Sequence, residues 1–159
     1  MKKGKPGIDN GNRSLMVIWV AGIVGFIDAS YLTLTKFTKA PLYCTPGLGD
    51  CHTVNASRWS ELWGIPIAAF GLAAYAIVIL VLLLSKRSEW VNRYQNLILF
   101  ALSFTGFLYS VYLTYLELFV IRAICQWCML SALSITVIMI AAITRLKYQR
   151  PILLKQGGK

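Results

Sequence analysis

The chain has 159 residues, a formal net charge of +10 and a hydrophobic share of 57%. That share is too high for an ordinary soluble domain of this length, so the composition argues against a soluble globular protein. The positive charge would suit a nucleic-acid partner only if the basic residues formed one surface, and their positions along the chain decide that question.

Four segments contain few or no charged residues and, at about 20 residues each, are long enough to cross a bilayer. In chain order they are residues 15–34, with a single charge at Asp28, and residues 65–84, 97–116 and 123–144. We therefore predict an all-α integral membrane protein, a bundle of four transmembrane helices. We expect residues 15–147 to form the catalytic domain, and residues 1–14 and 148–159 to be cytoplasmic tails.

The basic residues are distributed unevenly over the loops of such a bundle. Of the sixteen Lys and Arg, twelve fall in the two tails and the middle loop, and four fall in the other two loops, namely Lys36, Lys39, Arg58 and Arg122. The positive-inside rule then places both termini in the cytoplasm. The charge reflects topology, so we expect a lipid bilayer as partner and no nucleic acid.

The longest connection is the first outer loop, residues 35–63. It begins with the turn-rich stretch "CTPGLGDC", in which Pro46, Gly47 and Gly49 disfavour regular structure. The later stretch "ASRWSELWG" has a helical rhythm, with Ser57 as a candidate cap and Gly64 as a candidate left-handed end. We expect a short helix there, lying on the outer membrane surface over the bundle.

All four cysteines fall in outer segments under this topology, where disulfides are permitted. The expected pairs are Cys44 with Cys51, and Cys125 with Cys128 in a Cys-x-x-Cys motif. Three interpretations stay open: structural disulfides, a zinc site completed by His52, or a redox relay. The zinc interpretation is disfavoured by the six-residue spacer and by the apolar setting of the second pair, and we predict no metal.

The redox interpretation accounts for the position of the second pair. Cys125 begins the fourth helix, where the helix dipole stabilises a thiolate that can exchange with thiols arriving from water. Cys128 lies one turn further on and faces the apolar interior, where a lipid-soluble acceptor such as a quinone would reach it. Cys44 and Cys51 would then shuttle electrons from a soluble dithiol protein to Cys125 by thiol–disulfide exchange.

The order of these features resembles the vitamin K epoxide reductase family. The resemblance covers roughly residues 28–134 and is carried by the two cysteine pairs together with Ser57, the "GIP" of residues 64–66, Gly71 and Tyr75. It implies a four-helix bundle around a quinone, with Cys128 next to the quinone and Ser57 beside the active site.

The resemblance favours the prokaryotic, thiol-oxidising branch of that family. It implies a multi-pass protein of the prokaryotic inner (plasma) membrane with its active site facing outside. It also implies a quinone of the ubiquinone or menaquinone/vitamin K type, and a separate periplasmic or lumenal thioredoxin-like partner. Animal members have a Tyr shortly after the Cys-x-x-Cys, where this chain has Ser131, Ala132 and Leu133. This difference disfavours epoxide reduction of the animal type, which is the alternative function.

Two further alternatives come from outside the family. One is an unrelated quinone-dependent disulfide oxidase that has four cysteines, but in which the Cys-x-x-Cys comes first along the chain. The other is a non-enzymatic membrane protein of four spans with structural disulfides or zinc.

Candidate quinone-site residues are polar or aromatic side chains near the predicted outer end or within the spans. A carboxylate inside a span, as at Asp28, is costly and is often functional. Asp28 would transfer protons to the reduced quinone, or it would bond to a hydroxyl such as Ser30 or Tyr31. The other candidates are Ser57, Trp59, Pro66, Phe70, Tyr75 and Tyr112.

Overall fold

The computed structural model describes residues 6–45 and 49–156, with side chains described for residues 12–45 and 49–147. The architecture is all-α apart from one small hairpin. The α-helices are α1 (Pro6–Thr38), α2 (Cys51–Ala56), α3 (Ile67–Leu84), α4 (Glu89–Tyr115) and α5 (Gln126–Gln156). The shorter elements are a 3₁₀ turn (Arg58–Ser60), strands β1 (Glu61–Leu62) and β2 (Ile65–Pro66), and a π-helical turn (Leu116–Ile121).

Four helices are long and apolar enough to cross a membrane, which confirms the predicted spans. They cover Asn12–Thr38, Ile67–Leu84, Glu89–Ile121 and Gln126–Lys147. Many large apolar side chains on these helices, such as Val20, Leu80 and Leu133, point out of the bundle. An exposed apolar surface of this extent suits lipid and not water, so the chain is a multi-pass membrane protein.

The helices pack as a bundle in which α1 contacts α3 and α5, and α4 contacts α3 and α5. Close approach of α1 and α3 depends on Gly25, because a Cβ at this position would lie 2.3 Å from ring atoms of Tyr75. Tyr75 is thereby fixed in the bundle core, where its hydroxyl donates a hydrogen bond to the Ser131 carbonyl oxygen at 2.7 Å. This contact brings α1, α3 and α5 together below the outer end.

The short outer helix is present, but its predicted position is wrong. It spans Cys51–Ala56 because Asp50 provides an earlier N-cap, its side chain accepting the Thr53 N–H at 3.0 Å. Ser57 ends this helix and directly precedes the 3₁₀ turn Arg58–Ser60, to which its side chain makes no capping hydrogen bond.

The stretch predicted as helical forms the 3₁₀ turn in its first part and enters the β1–β2 hairpin in its second part, where Leu62 pairs with Ile65. Trp63 and Gly64 between them have φ of 52° and 79°, as a two-residue hairpin turn with positive φ at both positions requires. Gly64 is therefore left-handed, as expected, but it turns a hairpin and does not end a helix.

Candidate redox site at the outer end of the bundle

The four cysteines lie in one packed cluster at the outer end of the bundle. Cys51 and Cys125 are buried in it together with Leu32, Leu42 and Val54, and Cys44 and Cys128 pack against them. The cluster joins the first outer loop, the start of α2 and the start of α5. Two pairs that are more than 70 residues apart in sequence are thus neighbours in space.

The two pairs are in different redox states. Cys44 and Cys51 form a disulfide with a Cα–Cα separation of 6.1 Å, as the sequence predicts. Cys125 and Cys128 are free thiols. The second expected pair is therefore adjacent but is not joined by a disulfide in this structure.

Cys125 is the N-cap residue of α5. Its sulfur accepts the backbone N–H of Cys128 at 3.3 Å, in the place that a Ser or Asp oxygen takes in an ordinary N-cap. The pKa of Cys125 is lowered chiefly because the Cys128 thiol donates to its sulfur, with backbone N–H groups at the helix start adding to the effect. Cys125 is therefore the thiol of the pair that ionises first.

The sequence predicts that Cys125 is open to thiols arriving from water, and the structure contradicts this because it buries Cys125. Cys125 is 1% exposed, whereas Cys128 is partly exposed. The reason is that α2 and the loop fold over Cys125 and bury it under Cys51 and Val54. In this arrangement the loop disulfide, and not a thiol from water, lies against Cys125.

The two residues inside the Cys-x-x-Cys motif hold the loop in place. Gln126 accepts the Thr45 N–H through its Oε1 at 3.3 Å, and Trp127 donates from Nε1 to the Tyr43 carbonyl oxygen at 2.8 Å. The Trp127 ring also packs on Tyr31, with ring centroids 5.0 Å apart. These bonds tether both sides of Cys44 to α5, a role that the sequence did not indicate.

The other end of the loop is docked through its backbone. The Asp50 N–H donates to the Ile124 carbonyl oxygen at 3.0 Å, directly before Cys125. Gly49 has φ of 129°, and a Cβ there would lie 2.2 Å from the same oxygen. Only glycine permits this approach, so Gly49 sets how closely the loop cysteines reach Cys125. The predicted irregular loop is confirmed here, while Pro46 and Gly47 lie outside the described residues.

Glu117 is a site residue that the sequence reasoning missed. It lies in the π-helical turn, is 4% exposed, and accepts the Cys125 N–H through its Oε2 at 3.1 Å. The chain then reverses at Arg122, which adopts the left-handed conformation with φ of 57°. The one sequence signal was an acidic residue eight positions before Cys125, at the end of a span, where an ordinary interfacial charge would also be expected.

An apolar cavity of about 310 Å³ lies below the cysteine cluster. Its walls include Cys125, Cys128, Glu117 and Ser131, and five of the predicted quinone-site residues, which are Ser57, Trp59, Pro66, Phe70 and Tyr75. The volume is at the lower end of the range for small-molecule sites. Two of the predicted residues, Asp28 and Tyr112, are not part of this wall among the described residues.

Asp28 lies behind the cavity wall. It is 3% exposed, and neither of its carboxylate oxygens has a hydrogen-bond partner among the described residues. Its polar neighbours are Ser131 and Tyr75, which both line the cavity. Neither of the two hydroxyls named from the sequence bonds to Asp28: the Ser30 hydroxyl donates to the Phe26 carbonyl oxygen at 2.6 Å, and Tyr31 makes no hydrogen bond to the carboxylate. The neighbouring hydroxyl is instead that of Ser131.

Four membrane-spanning helices that carry a disulfide and a free dithiol side by side define a membrane protein of thiol redox chemistry. Residues 16–143 match the sequence model of the vitamin K epoxide reductase family, which is most of the 159 residues. The chain belongs to this family and is an oxidoreductase.

A curated relative is the thiol-disulfide oxidoreductase LTO1 of Arabidopsis thaliana. It is 33% identical to this chain over 52 residues, which are 33% of this chain and 14% of the relative. The chain thus matches only a small part of that longer protein.

Proposed function

We propose that this protein is a quinone-dependent thiol oxidoreductase that supports disulfide bond formation. Electrons pass from a separate thioredoxin-like dithiol protein to Cys44 and Cys51, then to Cys125 and Cys128, and finally to a quinone. The observation that carries the proposal is the cysteine cluster itself, in which both pairs pack together and only the second pair lines an apolar cavity.

The relay consists of two thiol–disulfide exchanges. A thiolate of the partner attacks the Cys44–Cys51 disulfide, and its second thiolate resolves the mixed disulfide, so the partner leaves oxidised and the loop pair is reduced. A loop thiolate then attacks the Cys125 sulfur of the oxidised helix pair, and Cys128 leaves. The other loop thiolate closes the Cys44–Cys51 disulfide and releases Cys125. The product is the state described above, with a loop disulfide and a free helix dithiol.

The cavity has the chemistry that a quinone ring requires. Its wall is almost entirely apolar, and the polar groups that it offers include the Tyr75 and Ser131 side chains and the Cys128 thiol. A bound quinone supplies an acceptor for two electrons and two protons. The Cys128 sulfur faces this space, and the Ser131 hydroxyl can donate a hydrogen bond to a carbonyl oxygen, while the Tyr75 hydroxyl already donates to the Ser131 carbonyl oxygen.

We assign quinone contact to the cavity residues Ser57, Trp59, Pro66, Phe70 and Tyr75. Asp28 acts from behind this wall, through Ser131 and Tyr75, as a store for protons that the reduced quinone needs. Tyr112 stays a prediction, because it is half-exposed on the outside of α4.

We propose that the membrane is the prokaryotic inner membrane and that both termini face the cytoplasm. The support is the twelve-to-four distribution of basic residues between the two sides. Reporter fusions after Arg87 and at the C-terminus should both give a cytoplasmic signal. A periplasmic signal from either fusion would contradict this topology.

The test of the proposed function is a reconstituted oxidation assay. Protein purified in detergent is analysed by mass spectrometry for a bound quinone, and is then supplied with a reduced thioredoxin-like protein under anaerobic conditions. We expect a co-purified quinone and an oxidation of the partner that stops unless quinone is added. Oxidation that is independent of quinone, or reduction of a quinone epoxide in preference to the quinone, would contradict the proposal.

A further inference from the structure

Glu117 is bonded to the redox motif by its side chain and not merely close to it. Its Oε2 accepts the Cys125 N–H at 3.1 Å, while its backbone carbonyl oxygen accepts the Ala123 N–H at 3.1 Å. The π-helical turn places the side chain inward, at the cavity wall. A carboxylate buried at this depth is costly unless its charge is used, which points to a chemical role.

The bond to Cys125 replaces half of a capping box. In an ordinary capping box, the side chain at the third helical position reaches back to the backbone N–H of the N-cap residue. In α5 that third position is Cys128, whose thiol is a reacting group. Glu117, from the turn that precedes the helix, takes over the bond and leaves the Cys128 sulfur free to react.

The carboxyl group also faces the second sulfur. Glu117 and Cys128 line the same cavity, and the carboxyl group that accepts the Cys125 N–H also interacts with the Cys128 side chain. In the reduced pair the Cys128 thiol donates to the Cys125 sulfur, but Cys125 cannot hold this proton while its own sulfur is bonded in a disulfide. Cys128 therefore needs a partner that holds its proton whenever its sulfur enters or leaves a disulfide.

We propose that Glu117 is a catalytic residue that carries the exchangeable proton of Cys128. When a loop thiolate attacks the Cys125 sulfur, the Cys125–Cys128 bond breaks, a bond from the loop sulfur to Cys125 forms, and the Glu117 carboxyl group gives its proton to the departing Cys128 sulfur. In the reverse direction Glu117 takes the proton back, and Cys128 attacks Cys125. This proposal rests on the thiol relay proposed above, but it does not depend on the quinone.

The test isolates the closing of the helix pair and needs no quinone. All samples carry Cys44→Ser and Cys51→Ser, so that Cys125 and Cys128 are the only thiols, and they react with the neutral disulfide dithiodipyridine. The first thiopyridone is released when Cys125 forms a mixed disulfide. The second is released when Cys128 attacks that mixed disulfide and closes the pair. When Cys128→Ser is added, only the first release should remain, because no second thiol can attack the mixed disulfide.

Glu117→Gln separates proton transfer from positioning, because Gln still accepts the Cys125 N–H but cannot take a proton. We expect the first release to be unchanged or faster, since a negative charge beside Cys125 has been removed. The second release should slow by about 100-fold, at the lower end of the range for general acid–base groups. Glu61→Gln, the same change at a carboxylate outside the cavity wall that is paired with Lys36 at 3.1 Å, should leave both releases as they were.

An unchanged or accelerated second release in Glu117→Gln would overturn the proposal and reduce Glu117 to a positioning residue. If Glu117→Gln loses the first release as well, the pair Glu117→Asp and Glu117→Asn repeats the comparison with a shorter side chain. The second release should then be faster in the Asp variant, and equal rates would overturn the proposal. If the sample with an intact Glu117 shows a normal second release but the wild-type protein does not reduce quinone, that result counts against the proposed function and not against the role of Glu117.

Discussion

The two cysteine pairs sit in one cluster but are held by different kinds of structure. Cys44 and Cys51 are supported by a loop that is attached through hydrogen bonds to α5, at Gln126 and Trp127. Cys125 and Cys128 are supported by the start of α5, a long helix that packs against α1 and α4. The first support depends on bonds that can be broken and remade, and the second on the core of the bundle. A relay needs this difference, because one pair must meet a soluble partner while the other keeps its place beside the cavity.

The largest expected effect comes from removing the electron donor of the helix pair. Cys128→Ser should abolish quinone reduction, because the cavity then has no second sulfur to complete a disulfide with Cys125. Exchange between the partner and the loop disulfide should continue, since that step uses only Cys44 and Cys51. Quinone reduction is followed by absorbance and loop exchange by thiol trapping. Quinone reduction at the wild-type rate would refute the assignment of Cys128.

Gly49→Ala tests whether the loop must dock closely on the helix pair. A methyl group there would clash with the Ile124 carbonyl oxygen and would force a strained positive φ, at a cost of about 1–3 kcal/mol. Electron transfer from the loop pair to Cys125 should slow by about tenfold or more. The control is Gly64→Ala, which has φ of 79° but nothing within 4 Å of the added Cβ. Equal rates in the two variants would argue against a docked loop.

Trp127→Phe removes one tether and keeps an aromatic ring against Tyr31. The lost bond from Nε1 to the Tyr43 carbonyl oxygen is worth about 1 kcal/mol, so the same transfer step should slow by about fivefold. Trp90→Phe, at an exposed tryptophan that packs on Tyr94 at the other end of the bundle, is the matched control. If Trp127→Phe transfers electrons from the loop pair to Cys125 at the wild-type rate, the bond from Trp127 to Tyr43 does not contribute to docking of the loop.

The smallest expected effect is a shift in the reactivity of Cys125 with pH. The Cys128 thiol lowers the pKa of Cys125, so Cys125 stays a thiolate at a lower pH than an ordinary cysteine does. Alkylation of Cys125 should therefore continue to that lower pH. Cys128→Ala removes that donor, so the alkylation midpoint should move to higher pH. Rates are measured by mass spectrometry of the Cys125 peptide in detergent. A midpoint that stays in place would show that the helix start alone sets the pKa.

The sequence predicts the four spans well because a membrane-crossing helix must be apolar along its whole length. It also predicts the Cys44–Cys51 disulfide and the irregular loop before Asp50, since these depend on local spacing. It misplaces the outer helix because Asp50 and Ser57 are both good caps, and local pattern alone does not decide between them. The burial of Cys125 and the inward turn of Glu117 arise from contacts between distant segments, which local pattern cannot show.

The cavity also has features that the local sequence predicts and features that depend on contacts between distant segments. Ser57, Pro66 and Tyr75, which the sequence predicts near a quinone, line the cavity. Asp28 is as deeply buried as its position in the span suggested, but the wall that separates it from the cavity comes from Tyr75 and Ser131 on other helices. Helix packing, and not the helix itself, decides which side chains reach a site.

The central claim is that electrons pass directly from the loop pair to the helix pair. It is tested by trapping the intermediate in Cys128→Ser, where Cys125 has no partner sulfur within its own helix. The protein is reduced by the partner, separated from it and treated with dithiodipyridine, so that a loop thiolate attacks the mixed disulfide on Cys125 and displaces thiopyridone. The remaining loop thiol is alkylated at once so that it cannot resolve the cross-link, and the protein is digested without reducing agent. We expect cross-linked peptides that join Cys125 to Cys44 or Cys51. Recovery of only the Cys44–Cys51 bond and a free Cys125, after reduction by the partner, would contradict the relay.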